Sequence, residues 1–185
     1  MIWPVWKLFY LGGIIIGSWQ GAPPETLRVV TVCEALESRL SYNGKPVAVL
    51  GRFTQTGEGM YLDEECALRL RTKDFTWPNA IWVEFDKQYR QEMRTAVDSN
   101  SLRDALRRIM VNTHLNREED SWIVASGRFE TSAQLEVISS ADGKTIRGAG
   151  YGHLNVAPAQ LLVQSRDNIQ HISAAEAEQL IKAGK

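Results

Sequence analysis

Cysteine and histidine, on which most metal sites and thiol enzymes are built, are scarce here: the 185 residues include two Cys and three His. No CxxC or HxxxH spacing occurs, so the usual zinc-ligand patterns are missing. Also absent are GxSxG, which seats a hydrolase serine, and the GxxxxGK[ST] and GxGxxG phosphate loops. Nor is there an excess of either charge: 21 Lys/Arg against 22 Asp/Glu leave a formal net charge of −1. A duplex nucleic-acid binder needs a basic surplus to neutralise phosphates, so nucleic acid is not the expected partner. What is present, 44% hydrophobic and 23% charged residues, suits a folded domain and excludes a disordered tail, a collagen-like fibre or a cysteine-dense mini-scaffold.

A long, strongly apolar run lies at the N-terminus. Residues 1–19 carry a single charge, Lys7, and Leu8 to Trp19 follow without another. A short positive stretch before an apolar segment of about 7–15 residues is the pattern of a secretory signal. Gln20 to Pro24 then bring small residues and helix breakers, although cleavage after Ala22 places Gln20 where a small residue is preferred. With Ile2 to Trp6 included, the span approaches the ~20 residues that cross a bilayer. Trp3, Trp6, Tyr10 and Trp19 would suit its interfaces. Residues 1–22 thus read as a signal peptide or a membrane anchor, with membrane contact through residues 1–19; a buried helix of a soluble protein is the alternative. Either exported version leaves the rest periplasmic, secreted or anchored facing outside the cytoplasm.

Cys33 and Cys66 fit that compartment, where an even count reads as a disulfide. Two reduced core cysteines, or a metal site completed by His114, His153 or His171, are the rivals. The spacing gives the metal no support, so no metal and no cofactor is expected.

Periodicity orders the rest. Thr31-Val32-Cys33-Glu34 is a capping box, in which a hydroxyl and a carboxylate satisfy helix-end amides. Val32, Ala35, Leu36 and Leu40 share the helix's apolar face, and Asn43-Gly44 ends it. A strand spans residues 46–56, with Val47, Val49, Gly51 and Phe53 alternating with Ala48, Leu50, Arg52 and Thr54. Gly57 to Gly59 turn the chain into extended runs at 60–62 and 67–71, with Leu68 and Leu70 inward and Arg69 and Arg71 outward. Residues 76–79 break the chain before a strand at 80–85, where Ile81, Val83 and Phe85 oppose Trp82 and Glu84. The helical insert 87–117 holds seven Lys/Arg against three acids, and in it Ser101 is a candidate cap with Asp104. Strand character returns at 122–130 and 160–165. A final helix opens at Ser173, with Glu176 completing another capping box.

Gly-Arg-Phe occurs twice, at 51–53 and 127–129, late in each of two alternating strands. Glycine inside a strand commonly marks a bend, and a small closed barrel needs one strand that turns a corner to join both halves of the sheet. The fold class read from this order is mainly β: a five-stranded OB-like antiparallel barrel over residues 23–172, with an N-terminal helix, the insert 87–117 between strands three and four, and a C-terminal helix at 173–185. An open antiparallel sheet with a covering helix is the alternative.

Residues 32–34, 42–47 and 51–53 resemble an uncharacterised family of small exported bacterial OB-like proteins. The shared features are a cysteine in the first helix, the Tyr42-Asn43-Gly44-Lys45 turn, the Glu65-Cys66 pair and the Tyr151-Gly152-His153-Leu154 segment before the last strand. The resemblance spans roughly residues 31–165 and implies the fold and export. It brings no known chemistry, and Asn155-Val156-Ala157-Pro158 departs from the pattern.

Few residues suggest chemistry. Gly148 to Gly152 reads as a packed hairpin loop rather than a phosphate cradle, because a strand, not a helix, follows. His153 beside permissive glycines is the one ionisable group placed to approach a ligand closely, yet it lacks a nucleophile. Asp63, Glu64 and Glu65 lack the alternation of a calcium loop and read as a solvated turn. No carboxylate spacing selects a glycosidase pair. OB barrels bind oligonucleotides or oligosaccharides across their middle strands, and Tyr61, Arg69, Arg71, Trp77 and Trp82 fall in that region. The ligand-binding candidates are therefore Tyr61, Arg69, Arg71, Trp82 and His153, with no catalytic residue assigned. The expected function is non-catalytic binding of an unknown ligand or envelope protein. An enzyme centred on His153, or a structural subunit at the membrane, is the alternative.

Overall fold

Two long strands, each carrying a Gly-Arg-Phe triplet, organise the molecule. The computed structural model describes residues 26–86, 96–112 and 121–183. The signal or anchor segment, residues 1–22, lies outside them, as do the flanks of the basic insert, 87–95 and 113–117. Among the described residues no helix is long and apolar enough to cross a membrane.

The barrel strands are β2 (Pro46–Thr56), β3 (Gly59–Asp63), β4 (Ala80–Phe85), β5 (Trp122–Thr131) and β6 (Ala159–Val163), extended by β1 (Val29–Thr31) and β7 (Ile169–Ile172). β2 pairs antiparallel with β3, β3 with β4, β6 with β5, and β5 returns to β2, which closes the barrel. The β4–β6 seam is parallel, so the barrel is mixed rather than wholly antiparallel as expected. The physical reason is the intervening insert and β5: the chain crosses over before β6 returns beside β4, and only a long crossover can join parallel neighbours.

The triplets explain how five strands suffice. Residues 46–52 of β2 pair with β5 along one edge, and residues 52–56 pair with β3 along the other, so Arg52 faces Trp122 on one side and Asp63 on the other. On the β3 edge, β1 occupies residues 48–50 and β3 takes over at Arg52, with Gly51 between. β5 repeats the device: its outer edge is paired with β7 at 122–125 and with β6 at 128–131, leaving Gly127 beside the hand-over. A Cβ on Gly51 would lie 2.7 Å from Val32 Cγ2, and one on Gly127 would press into the Leu162 carbonyl. Each arginine meets a carboxylate at its corner, Arg52 with Asp63 at 2.7 Å and Arg128 with Glu130 at 3.0 Å.

Two apolar layers result. The barrel interior holds Val47, Val49, Leu62, Ile81, Val83, Ile123, Phe129 and Leu161. Its end is plugged by Val32, Ala35 and Leu36 of α1 (Val32–Glu37), whose capping box forms as the sequence implies. The helix breaks at Ser38, and in α2 (Arg39–Tyr42) Leu40 turns out to solvent instead of sharing the apolar face. The second layer lies outside the barrel, where Ala48, Leu50, Trp122 and Val124 pack against Leu102, Ala105, Leu106 and Ile109 of α3 (Ser99–Asn112). α4 (Ala174–Lys182) adds Ala177, Leu180 and Ile181 to that layer, behind the Ser173–Glu176 capping box. Because β2 is covered on both faces, residues 47–50 are all buried and the alternation read from sequence has no exposed side. The start of α3 is held by Asp98 rather than Asp104: its carboxylate accepts the Asn100 and Ser101 amides at 3.2 and 3.0 Å. Ser101 Oγ is occupied accepting the Val29 amide at 2.7 Å, which ties the helix to β1.

Replacing Gly127 with Ala should destabilise the fold by roughly 1–3 kcal/mol through overpacking against backbone that has no room to yield. Gly57→Ala, where a Cβ meets nothing within 4 Å, should stay within about 0.5 kcal/mol. Urea unfolding of both variants checks this; equal effects would refute the close approach of β5 and β6.

Candidate functional site

Three places hold the residues that the sequence singles out, and the barrel separates them. The first is the disulfide corner. Cys33, in the first turn of α1, is bonded to Cys66 just beyond β3, with the Cα atoms 5.4 Å apart. Glu64 is buried beneath this link. Its carboxylate accepts the Cys33 amide at 2.9 Å and a hydrogen bond from the Thr31 hydroxyl. Burial pushes its carboxyl above the ordinary value. The two hydrogen bonds oppose that shift, Glu34 adds to it, and Arg108 works against it. Glu64 thus departs from the solvated turn expected of 63–65, while Asp63 is taken up by Arg52 and by the Thr54 hydroxyl at 2.7 Å. Cys33, Glu64 and Cys66 cluster, but both sulfurs are spent on the crosslink. Arg69 belongs here too: its Nη1 donates to the Cys66 carbonyl at 3.3 Å.

The second place is the outer face of β3 and β4. Leu62, Ile81 and Val83 fill the interior, so Tyr61 and Trp82 point outward, as strand alternation requires. Their rings meet edge to face at 4.9 Å. Trp82 nevertheless presents no open platform. It is 7% exposed, lying between Gly59 and Gly152, and its indole N–H donates to Glu84 at 3.0 Å. A side chain on either glycine would collide with the ring. The loop that lays Gly152 over Trp82 is held by the Tyr151–Ala157 bridge and bends through left-handed Leu154 and Asn155 (φ 57° and 54°). His153 follows Gly152 and approaches Glu58 to 3.5 Å, both side chains half in solvent. Trp77 is buried as well, against Gly148 and Gly150. The middle-strand face that serves OB barrels as a ligand platform is here covered by the chain itself.

The third place is a groove of about 510 Å³. One wall is the hairpin formed by residues 71–72 and 75–76, the other is the segment 133–137, and α2 contributes Arg39. Thr72 joins the walls: its hydroxyl donates to the Leu135 carbonyl at 2.9 Å and accepts the Trp77 indole N–H at 3.1 Å. Arg39, Arg71 and Lys73 line it against one acid, Glu136, and none of the three cations has a carboxylate partner among the described residues. Arg39 Nε is buried without a hydrogen-bond partner among the described residues, as are Arg103 Nε and three other side-chain atoms. Lys73 holds a left-handed backbone (φ 54°) at the hairpin tip, a conformation that costs a non-glycine residue about 1 kcal/mol.

Of the five predicted binding residues, then, Tyr61, Trp82 and His153 gather around the covered face, Arg71 lies in the groove, and Arg69 is folded onto the disulfide loop. Sequence reasoning missed Arg39 and Lys73, and it placed Glu64 in a solvated turn rather than in a buried corner. None of the three had a signal in the sequence, because only the tertiary fold sets their surroundings. Two smaller clefts, of about 350 and 320 Å³, lack the groove's imbalance of charge. In the larger of them Arg28 and Arg108 face Asp98 and Asp104, and Arg108 pairs with Glu34 at 3.1 Å.

Fold and surface together define a closed OB-like barrel, crosslinked at one corner, with its aromatic face covered and a basic groove at its side. No family model, curated protein or solved structure matches the chain.

The Glu64 environment sets a pH signature. A carboxyl raised by folding binds its proton more tightly in the native than in the unfolded chain, so its contribution to stability falls as pH rises from the ordinary glutamate value through the raised one. Wild type should therefore lose stability relative to Glu64→Gln as pH rises from about 4.5. Denaturant titrations of both proteins across that window check the sign; a stability difference that does not change with pH would refute it.

Proposed function

We propose that this chain is an exported or membrane-tethered binding module of the cell envelope that performs no chemistry of its own. The crosslinked corner, compatible with a compartment outside the cytoplasm, supports the location. So do the apolar, singly charged first 19 residues and the resemblance to small exported barrel proteins. The observation that carries the binding reading is the groove: about 510 Å³, within the roughly 300–1,000 Å³ of small-ligand sites, lined by three cations without carboxylate partners among the described residues, its two walls joined through Thr72. Binding is favoured over catalysis because His153 faces a half-exposed carboxylate in an open loop, with no nucleophile oriented by it.

The test is amide chemical-shift mapping of the protein against a panel of neutral, anionic and cationic oligosaccharides and peptides, with the ligand spectra followed for a day. At least one ligand should shift amides of residues 70–73 and 133–137, lose its effect with Arg71→Ala, keep it with His153→Ala, and come through chemically unchanged. Silence across the whole panel, or conversion of any ligand, would overturn the proposal.

A further inference from the structure

We infer that the groove takes an acidic oligosaccharide whose negative charges are carboxylates; this rests on the binding reading above and names its ligand class. Four features point the same way. The first is charge: Arg39, Arg71 and Lys73 surround the space without carboxylate partners among the described residues. Guanidinium groups match carboxylates in the plane, which gives such a ligand orientation as well as attraction.

The second is the mixed lining. Leu70, Leu135 and Val137 alternate with the polar groups along the walls. Sugar rings combine an apolar face with a polar rim and use both, whereas a bare polyanion uses only the charge. The third is Glu136, standing among the cations. It repels a densely charged chain such as polyphosphate, but it accepts hydrogen bonds from sugar hydroxyls. The fourth concerns aromatic rings. Single-stranded nucleic acids are held by bases stacking on exposed rings. Trp77 and Trp82 are buried under Gly148, Gly150, Gly59 and Gly152, and no aromatic ring of the described residues lines the groove. The Thr72 bridge between the walls means that little ordering is left for the ligand to impose.

The experiment is calorimetric titration of the full chain with a trimer of a hexuronic acid, the neutral hexose trimer of the same linkage, and a short polyphosphate of equal charge. The uronate should bind, more weakly as salt is raised. Arg71→Gln and Arg39→Gln should each lower its affinity about tenfold or more, as loss of a charge-assisted hydrogen bond requires. Arg39→Lys should recover only part of the loss. Lys182→Gln on α4, a cation paired with Glu178 and absent from the groove lining, should change nothing, and neutral trimer should be bound at least tenfold more weakly than uronate. Equal binding of the neutral trimer, equal or tighter binding of polyphosphate, or an effect of Lys182→Gln as large as that of Arg71→Gln would overturn the ligand class. If none of the three binds while another ligand maps to residues 70–73 and 133–137, the carboxylate inference is wrong and the binding module stands. Silence from every ligand removes both.

Discussion

Strand β2 has to satisfy three neighbours at once, and the rest of the molecule depends on its doing so. A strand has two hydrogen-bonding edges, and a five-stranded sheet closes only if one strand reaches both ends of the sheet. Arg52 is where that occurs, paired through its backbone to Trp122 on one edge and to Asp63 on the other. Gly51 before it admits the first turn of α1 to the barrel mouth, so closure and plugging are a single packing event. The same logic at Gly127 lets β5 pass from β7 to β6. These corners cost flexibility in the unfolded chain, and the two apolar layers on either side of β2 and β5 offset it.

The disulfide reinforces this arrangement where it has least to hold it. α1 is short, and a helix of six residues has no independent stability in water. Cys33–Cys66 ties it to the end of β3 across a separation of 33 residues. By the chain-entropy estimate that is worth about 3–4 kcal/mol. Glu64 is the counterweight: its carboxylate caps the Cys33 amide from within a buried corner, at the expense of desolvation. Beyond this corner the chain spends its long β5–β6 connection on covering itself, laying Gly148, Gly150 and Gly152 over Trp77 and Trp82. The face that OB barrels use as a ligand platform is here converted to core, and the groove cations are left at the side.

Much of the fold was legible in the sequence because it is written in local rules. The limits of β2 and β4, both capping boxes and the glycine-marked bends follow from alternation, hydroxyl–carboxylate spacing and the missing Cβ, which are properties of neighbouring residues. The closed barrel followed from the repeated triplet. What escaped was set at long range. The parallel β4–β6 seam is a crossover, invisible to periodicity. β1 and β7, three and four residues long, carry too little pattern to be seen. The outward placement of Trp82 was readable, yet its burial was not, since the covering residue arrives from 70 positions away. The groove escaped for the same reason: Arg71 was legible as a binding candidate, but Arg39 and residues 133–137 join it only through the fold.

Closure through Arg52 is the most direct point at which to test this picture. Isotope-edited nuclear Overhauser spectra of the oxidised protein in solution report backbone protons within about 5 Å across a strand pair, the reach of neighbouring strands. Contacts from the Arg52 backbone to both Trp122 and Asp63 are the expected result. Contacts to one of them alone would mean an open sheet, and would contradict the barrel on which every other placement rests.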